Sequence, residues 1–278
     1  DPKDVSWLRP EEYLDEGQKA AFVKGDASAN EVKQGALGDC WFIGALSVLA
    51  TRDELLRGSV EKVPPEMVQL IDKEIANMLS TGVYPPIFHK FRDKGFYVLR
   101  FYKNLQWRYV IIDDRLPVYT GNKQLVFGKC ASNEELWVPL IEKAYAKLHG
   151  CYQTLISGFI DDGLSDLTAM VCEKRQIHNR NGEFDQDKEA FWQYLESMKR
   201  NGCLMGCSVT GGTEHSIRID GVDTGILSGH AYSLNDVFEI NDETMENPRK
   251  THRLLRIRNP WGRGEWKGKW SDSSEEMD

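Results

Sequence analysis

The segment QGALGDCWF, from Gln34 to Phe42, places a cysteine directly before a run of apolar residues. Glycines ahead of the cysteine allow a tight backbone turn. Cys40 would then lie in the first turn of a helix, where unpaired N–H groups and the positive end of the helix dipole stabilise a thiolate. A cysteine at a helix start is more often simply buried. The interpretation of Cys40 as a nucleophile therefore depends on partners elsewhere in the chain.

A thiolate nucleophile needs a base that holds its proton and passes it to the leaving amine, which near neutral pH means histidine. His230, in GHAYS, follows a glycine at the start of a predicted strand, where a rigid backbone can present it to a cleft. It is the best candidate base, and His215, after a Gly-Gly-Thr-Glu loop, remains an alternative. We expect the other histidines to be solvated: His89, His149, His178 and His252.

A third side chain should accept the other imidazole N–H and so fix the ring. Asn259, in RNPWG, is a candidate, and Trp261 could shield that contact from water, although a plain turn with a packing tryptophan is the alternative. Gln34 could supply one oxyanion donor and the Cys40 backbone N–H the other. The order Gln, Cys, His, Asn is typical of papain-type cysteine proteases.

The elements that must position these side chains change character along the chain. Periodicity and turn signals in the first half predict helices over 40–51, from Pro64 to about Gly82 and over 134–149, the last capped by Asn133, and a β-hairpin over 95–113. A pattern break over 155–166 suggests a junction. After it the sequence predicts a helix over 187–200 and strands over 203–209, 230–240 and 252–258. The fold class is therefore α+β, with a cleft between the halves.

Composition excludes several classes of function. The 278 residues carry a net charge of -8, with 43 acidic against 35 basic side chains, so we expect no nucleic-acid partner. The longest apolar run, 41–50, is too short for a transmembrane segment, and no signal peptide is evident. Six dispersed cysteines favour reduced thiols in the cytoplasm. Cys203 and Cys207 could be half of a zinc site, but buried strand cysteines are the favoured interpretation.

Together, QGALGDCWF, GHAYS and RNPWG resemble the catalytic core of the calpain family. Segments 110–117, 136–150 and 266–272 are similar to the same core, so the resemblance covers nearly the whole chain, with 58–94 as an insertion. It implies a papain-like α+β fold with the active-site cleft between two subdomains. The helix-rich first subdomain, 1–168, would carry Gln34 and Cys40. The antiparallel β-rich second, 169–278 and C-terminally truncated, would carry His230 and Asn259.

The resemblance also implies a calcium-dependent intracellular cysteine endopeptidase that makes limited cuts in protein substrates. Cys40 would be the nucleophile, His230 the general base and acid, and Asn259 the orienting residue. Gln34 would be the oxyanion donor. Trp261 corresponds to the tryptophan that must leave the cleft before the triad closes.

Calcium is the cofactor that the resemblance implies, with a site in each subdomain. The first would use the carboxylates of Glu31 and Glu135 with carbonyls near Lys24 and Asp26. The second would use Glu265 and Asp272. Mixed carboxylate and carbonyl oxygens suit a cation that takes six to eight ligands, whereas solvated surface carboxylates are the alternative.

Two other functions remain open. A transglutaminase-type acyl transferase also places a cysteine before tryptophan, but there an aspartate usually orients the histidine, and Asn259 is evidence against it. A catalytically silent calpain-like scaffold is less favoured because Cys40, His230 and Asn259 are all present. Accessory or regulatory domains are possible in the full-length protein.

Overall fold

The computed structural model of the chain describes residues 4–58, 82–178, 183–209, 211, 214–241, 251–271 and 274–277. Within these ranges it contains α-helices and antiparallel strands, which confirms the α+β class. The helix predicted from Pro64 falls outside the described residues. No helix within these ranges is long and apolar enough to cross a bilayer.

Helix α2 is the centre of the fold. The helices of the described residues are α1 (Pro10–Tyr13), α2 (Cys40–Leu49), α3 (Asp53–Arg57), α4 (Trp137–His149), α5 (Ile160–Thr168) and α6 (Lys188–Arg200). All ten residues of α2 are buried, because its sequence CWFIGALSVL has no charged residue and every face needs an apolar neighbour. The prediction of a buried helix from Cys40 is confirmed.

Over the part of the chain that the structure describes, the strands pair in antiparallel fashion in four small sheets. They are β1 (Val5–Leu8), β2 (Phe96–Lys103), β3 (Gln106–Asp113), β4 (Leu116–Tyr119), β5 (Gln124–Leu125), β6 (Met205–Val209), β7 (His215–Ile219), β8 (Val222–Ser228), β9 (His230–Asn241) and β10 (Thr251–Arg258). The sheet orders are β1-β4-β5, β10-β9-β6, β2-β3 and β7-β8. The predicted hairpin is β2-β3, with Asn104 and Leu105 at positive φ in its turn.

Helix α4 begins later than predicted. Its N-cap is Leu136, so Asn133 does not cap it, although it ends at the predicted Gly150, where φ is +109°. The preceding residues face the first part of the chain instead. The carbonyl of Glu134 accepts from Ala21 N–H at 2.8 Å, and the Glu135 carboxylate accepts from Lys24 N–H at 2.7 Å. These long-range contacts replace the helical hydrogen bonds that the sequence pattern suggested.

The predicted break over 155–166 is wrong for most of its length, because α5 occupies it. Gly163 lies inside α5, where an added Cβ would be 3.0 Å from Cβ of Ala45. The glycine therefore allows close packing of α5 on α2 rather than ending a helix. The subdomain division at 168/169 stays a prediction.

The six cysteines, all within the described ranges, are free. Cys207 is partly buried in β6, whereas Cys203 is exposed ahead of that strand. The expectation of a buried strand cysteine is therefore wrong for Cys203, because β6 begins only at Met205.

Helix α2 joins the two halves of the chain. It packs against α4 and α5 on one side and against β9 and β6 on the other. The buried hydroxyls of Ser47 and Ser233 lie 3.1 Å apart across the contact between α2 and β9. Because Cys40 is the first residue of α2 and His230 is the first residue of β9, two directly packed elements position both side chains.

Candidate active site

The loop before Cys40 is built around close backbone approach. A Cβ on Gly35 would lie 2.2 Å from the carbonyl oxygen of Phe127, so only glycine fits there. The Gln34 N–H donates to the Pro260 carbonyl at 2.8 Å, which ties this loop to the RNPWG segment. Cys40 then begins α2 with only 9% of its surface exposed.

The environment of Cys40 favours the protonated thiol. Burial raises the pKa of Cys40, and the negative charges of Glu214 and Asp39 raise it further. Backbone N–H groups of Ala231 and Trp41 lower it, but less. The predicted thiolate stabilisation at the helix start is therefore outweighed, and a thiolate here needs a cationic partner.

His230 supplies the nearest imidazole. Its side chain is buried, and its Nε2 lies 2.9 Å from Oδ1 of Asn259. The same Oδ1 accepts from the backbone N–H of Trp261 at 3.0 Å, which identifies it as the acceptor end of the amide. His230 therefore donates from Nε2 to Asn259, and this contact fixes the ring orientation.

Glu214 is a member of the site that the sequence did not indicate. Its Oε1 lies 2.7 Å from Nδ1 of His230. The Cys40 sulfur, a His230 ring nitrogen and a Glu214 carboxylate oxygen all lie within 4.8 Å of one another. Glu214 is separated from His230 by 16 residues and the β7-β8 hairpin, so no local spacing could have revealed it.

Trp261 lies beside this group, and the backbone of Gln34 is hydrogen-bonded to Pro260, the neighbour of Trp261. The Trp261 ring centroid is 5.0 Å from that of His230, so the tryptophan covers the imidazole. Nε2 of Gln34 donates one hydrogen bond to the Leu37 carbonyl at 2.6 Å. An amide nitrogen carries two hydrogens, so one remains for another acceptor. His215, the alternative base, is exposed at the start of β7.

Two of the predicted calcium ligands come together. Glu135 is 2% exposed, and its carboxylate accepts from Lys24 N–H. Burial raises the pKa of Glu31, and the charge of nearby Glu135 raises it further. Two carboxylates brought close beside a backbone loop are a donor set of hard oxygens, which fits calcium.

The second predicted calcium set lies only partly within the described residues. Glu265 is exposed and lies near Arg258. Burial lowers the pKa of the Arg258 guanidinium, and the charge of Glu265 opposes that shift. Asp272 falls outside the described residues.

A buried acid pair lies behind Cys40. Asp39 is fully buried, and burial raises its pKa to about 7. Burial, together with the charge of Asp39, raises the pKa of Glu142 well above its usual range. Both Glu142 oxygens accept from the Gly128 N–H, at 2.9 and 3.1 Å. The sequence does not predict this pair, because a single glutamate on an amphipathic helix is expected on the exposed face.

Comparison with known proteins gives the family. A family model described as "Calpain family cysteine protease" matches residues 1–278. The chain belongs to the calpain family.

Several calpains from plants and animals are similar to the chain. It is 34% identical over 274 residues to the calpain-type cysteine protease DEK1 of Arabidopsis thaliana, which covers 97% of the chain and 11% of that protein. It is 34% identical to a calpain of Schistosoma mansoni, covering 97% of the chain and 31% of that protein. Mouse calpain-9 is also 34% identical, and the match covers 97% of the chain and 33% of calpain-9. The chain thus spans between about a tenth and a third of the length of these relatives.

Proposed function

We propose that the chain carries the catalytic centre of a calcium-dependent endopeptidase that makes limited cuts in protein substrates in the cytoplasm. Membership of the calpain family supports the reaction class. The observation that carries the residue assignment is the buried His230, held by Asn259 on one ring nitrogen and placed near the Cys40 sulfur. Free cysteines are compatible with a reducing compartment.

In acylation, Cys40 transfers its proton to His230 and its sulfur attacks the carbonyl carbon of the scissile peptide. Because burial disfavours the lone thiolate, the imidazolium that forms is needed to stabilise it. Asn259 holds the ring through Nε2 and leaves Nδ1 for this proton. For that transfer, Nδ1 must lose its contact with Glu214 and gain one with the Cys40 sulfur.

The tetrahedral intermediate places negative charge on the former carbonyl oxygen. The backbone N–H of Cys40 and the second amide hydrogen of Gln34 are the donors for this charge. Collapse of the intermediate breaks the C–N bond, and His230 gives its proton to the leaving amine. Water, deprotonated by His230, then attacks the thioester and releases the new carboxylate and Cys40.

Calcium fits the first predicted set of ligands, in which Glu31 and Glu135 would hold the ion with loop carbonyls near Lys24 and Asp26. The bound ion would neutralise two neighbouring carboxylates and stiffen the loops that they join. For the second set, Glu265 and Asp272 remain the proposed ligands. Because the relatives are much longer than this chain, further regulatory domains belong to the same proposal.

Cleavage of an unstructured protein substrate by the wild-type chain and by Cys40→Ala, with and without calcium, tests the function. We expect calcium-dependent cleavage by wild type and a loss of several orders of magnitude in the variant, since the sulfur alone makes the attack. Residual cleavage near the wild-type rate in Cys40→Ala would refute the assignment. Absence of cleavage from wild type at every calcium concentration would favour the silent scaffold.

A further inference from the structure

The cluster of Cys40, His230 and Glu214 has a composition that peptide hydrolysis does not require. A thiol, an imidazole and a carboxylate lie with their ligating atoms within 4.8 Å of one another. Papain-type chemistry uses the thiol and the imidazole, whereas Glu214 contacts Nδ1 of that imidazole at 2.7 Å. Sulfur, nitrogen and oxygen from three side chains are the donor types found in zinc sites with three protein ligands.

We propose that Cys40, His230 and Glu214 form a zinc site whose ligands are the Cys40 sulfur, deprotonated on binding, Nδ1 of His230 and a Glu214 carboxylate oxygen. The fourth position would remain open for water, as in other zinc sites with three protein ligands. This site differs from the proposed calcium sites in its ligands, since calcium takes oxygen donors and zinc binds sulfur and nitrogen well.

The surroundings of His230 are those of a metal-binding histidine. Such a histidine usually donates its other ring N–H to a carbonyl or carboxylate oxygen, which fixes the tautomer and directs the free lone pair at the metal. Here Nε2 donates to Asn259 Oδ1 at 2.9 Å, and Oδ1 is itself held by the Trp261 N–H. Nδ1 is therefore the ligand atom, on the side of Glu214.

The distances allow a small rearrangement to complete the site. Zinc with ligands at ~2.0–2.3 Å in a tetrahedron needs ligand atoms about 3.3–3.6 Å apart. Glu214 Oε1 is now 2.7 Å from Nδ1, and the remaining separations are at most 4.8 Å. The Glu214 side chain is 36% exposed, so it can move by this amount without disturbing the core, while Cys40 and His230 stay on their packed elements.

Binding at this site would block catalysis, a consequence that rests on the proposed function. The ion would hold the attacking sulfur and occupy the nitrogen that must carry its proton. Zinc binding itself does not depend on turnover, because the geometry of the three side chains is sufficient. Binding and inhibition can therefore be tested separately.

The test is calorimetric titration of zinc into the reduced, calcium-free 278-residue chain and three variants. We expect one tight equivalent in wild type and a loss of that binding in Cys40→Ala. Glu214→Gln should bind at least about tenfold more weakly, because one ligand charge is removed. Glu196→Gln, the same change on α6, should bind like wild type.

A second measurement needs no peptidase activity. Zinc should slow alkylation of Cys40 by iodoacetamide, followed by peptide mass spectrometry, and a chelator should restore the rate. Equal zinc affinity in wild type and Cys40→Ala would overturn the proposal, since the exposed Cys151, Cys172 and Cys203 would then hold the metal. Absence of binding to wild type, or unchanged affinity in Glu214→Gln, would overturn it as well.

Discussion

His230 and Asn259 touch each other but carry unequal parts of the proposed reaction. His230→Ala removes the proton carrier, so kcat/KM for peptide cleavage should fall by about three orders of magnitude or more. Asn259→Ala removes the 2.9 Å contact that orients the ring and the acceptor of the Trp261 N–H, but it keeps the proton carrier. It should therefore retain at least about tenfold more activity than His230→Ala. His215→Ala is the control and should be close to wild type. If His215→Ala were inactive and His230→Ala active, the base would be misassigned.

At the residue scale, the sequence predicts the groups that the chemistry dictates. Cys40, His230 and Asn259 could be named because nucleophile, base and orienting group require particular side chains beside recognisable turns. Glu214 could not, since its contact with His230 depends on how the β7-β8 hairpin brings a distant loop back. The raised pKa of Cys40 was equally hidden, because it results from burial and from charges supplied by tertiary packing.

At the element scale, α2 is anchored beside the site by Trp41. Its Nε1 donates to the Leu155 carbonyl at 2.8 Å, and its ring covers Gly158, where an added Cβ would lie 2.4 Å from Cε2. Gly158→Ala should therefore lower the free energy of unfolding by about 1–3 kcal/mol. Gly121→Ala is the matched control, since nothing lies within 4 Å of its Cβ position. Equal urea midpoints for the two variants would refute this view of the packing.

The buried Glu142 on α4 makes stability depend on pH. Its raised pKa means that the folded chain keeps a proton that an unfolded glutamate, with a pKa of about 4.3, has already lost. The folded state then binds more protons, so this group destabilises the fold progressively as pH rises above that value. Glu142→Gln cannot titrate. The free energy of unfolding of Glu142→Gln minus that of wild type should therefore increase from about pH 5 to about pH 8.

Urea unfolding at several pH values measures that difference, with Glu16→Gln as the exposed control. The control should differ from wild type by the same amount at each pH. A difference for Glu142→Gln that is constant or falls with pH would contradict a proton held on this pair.

Whether a helix or strand could be predicted depends on whether nearby residues or distant contacts determine it. Helix α2 and the β2-β3 hairpin follow from an apolar run and from strand alternation around a turn, so both were predicted. The start of α4 was not, because Glu135 is held by Lys24 N–H far away in sequence. Helix α5 was missed because Gly163 was interpreted as the end of regular structure, whereas it lies inside the helix and allows close packing on α2. The β7-β8 hairpin was missed although Asp220-Gly221 is a strong turn signal.

At the scale of the whole molecule, the loop around Glu31, which is the proposed calcium loop, directly contacts the end of β10. Nη2 of Arg258, the last residue of β10, donates to the carbonyls of Asn30 at 2.7 Å and Val32 at 3.0 Å. Glu31 lies between those two residues, and Asn259 follows Arg258. Ordering of the Glu31 loop by an ion would therefore be transmitted to the strand end that holds His230 in place.

Calorimetric titration of calcium tests this loop. Glu135→Gln keeps an oxygen that can accept from Lys24 N–H but removes the charge, so calcium affinity should fall by about tenfold or more. Glu134→Gln is the matched control, because that neighbour pairs with the Lys24 ammonium at 2.6 Å instead and should affect affinity less. Identical binding by both variants and wild type would remove Glu135 from the site.

Labelling by a cysteine-directed epoxide peptidase inhibitor, located by peptide mass spectrometry, tests the central claim most directly. An activated thiol beside an imidazole should give a single adduct at Cys40, formed faster with calcium and strongly reduced in His230→Ala. The exposed Cys151, Cys172 and Cys203 should remain unmodified on that timescale. An adduct distributed over the exposed cysteines, or equal Cys40 labelling in wild type and His230→Ala, would contradict a catalytic centre at Cys40 and His230.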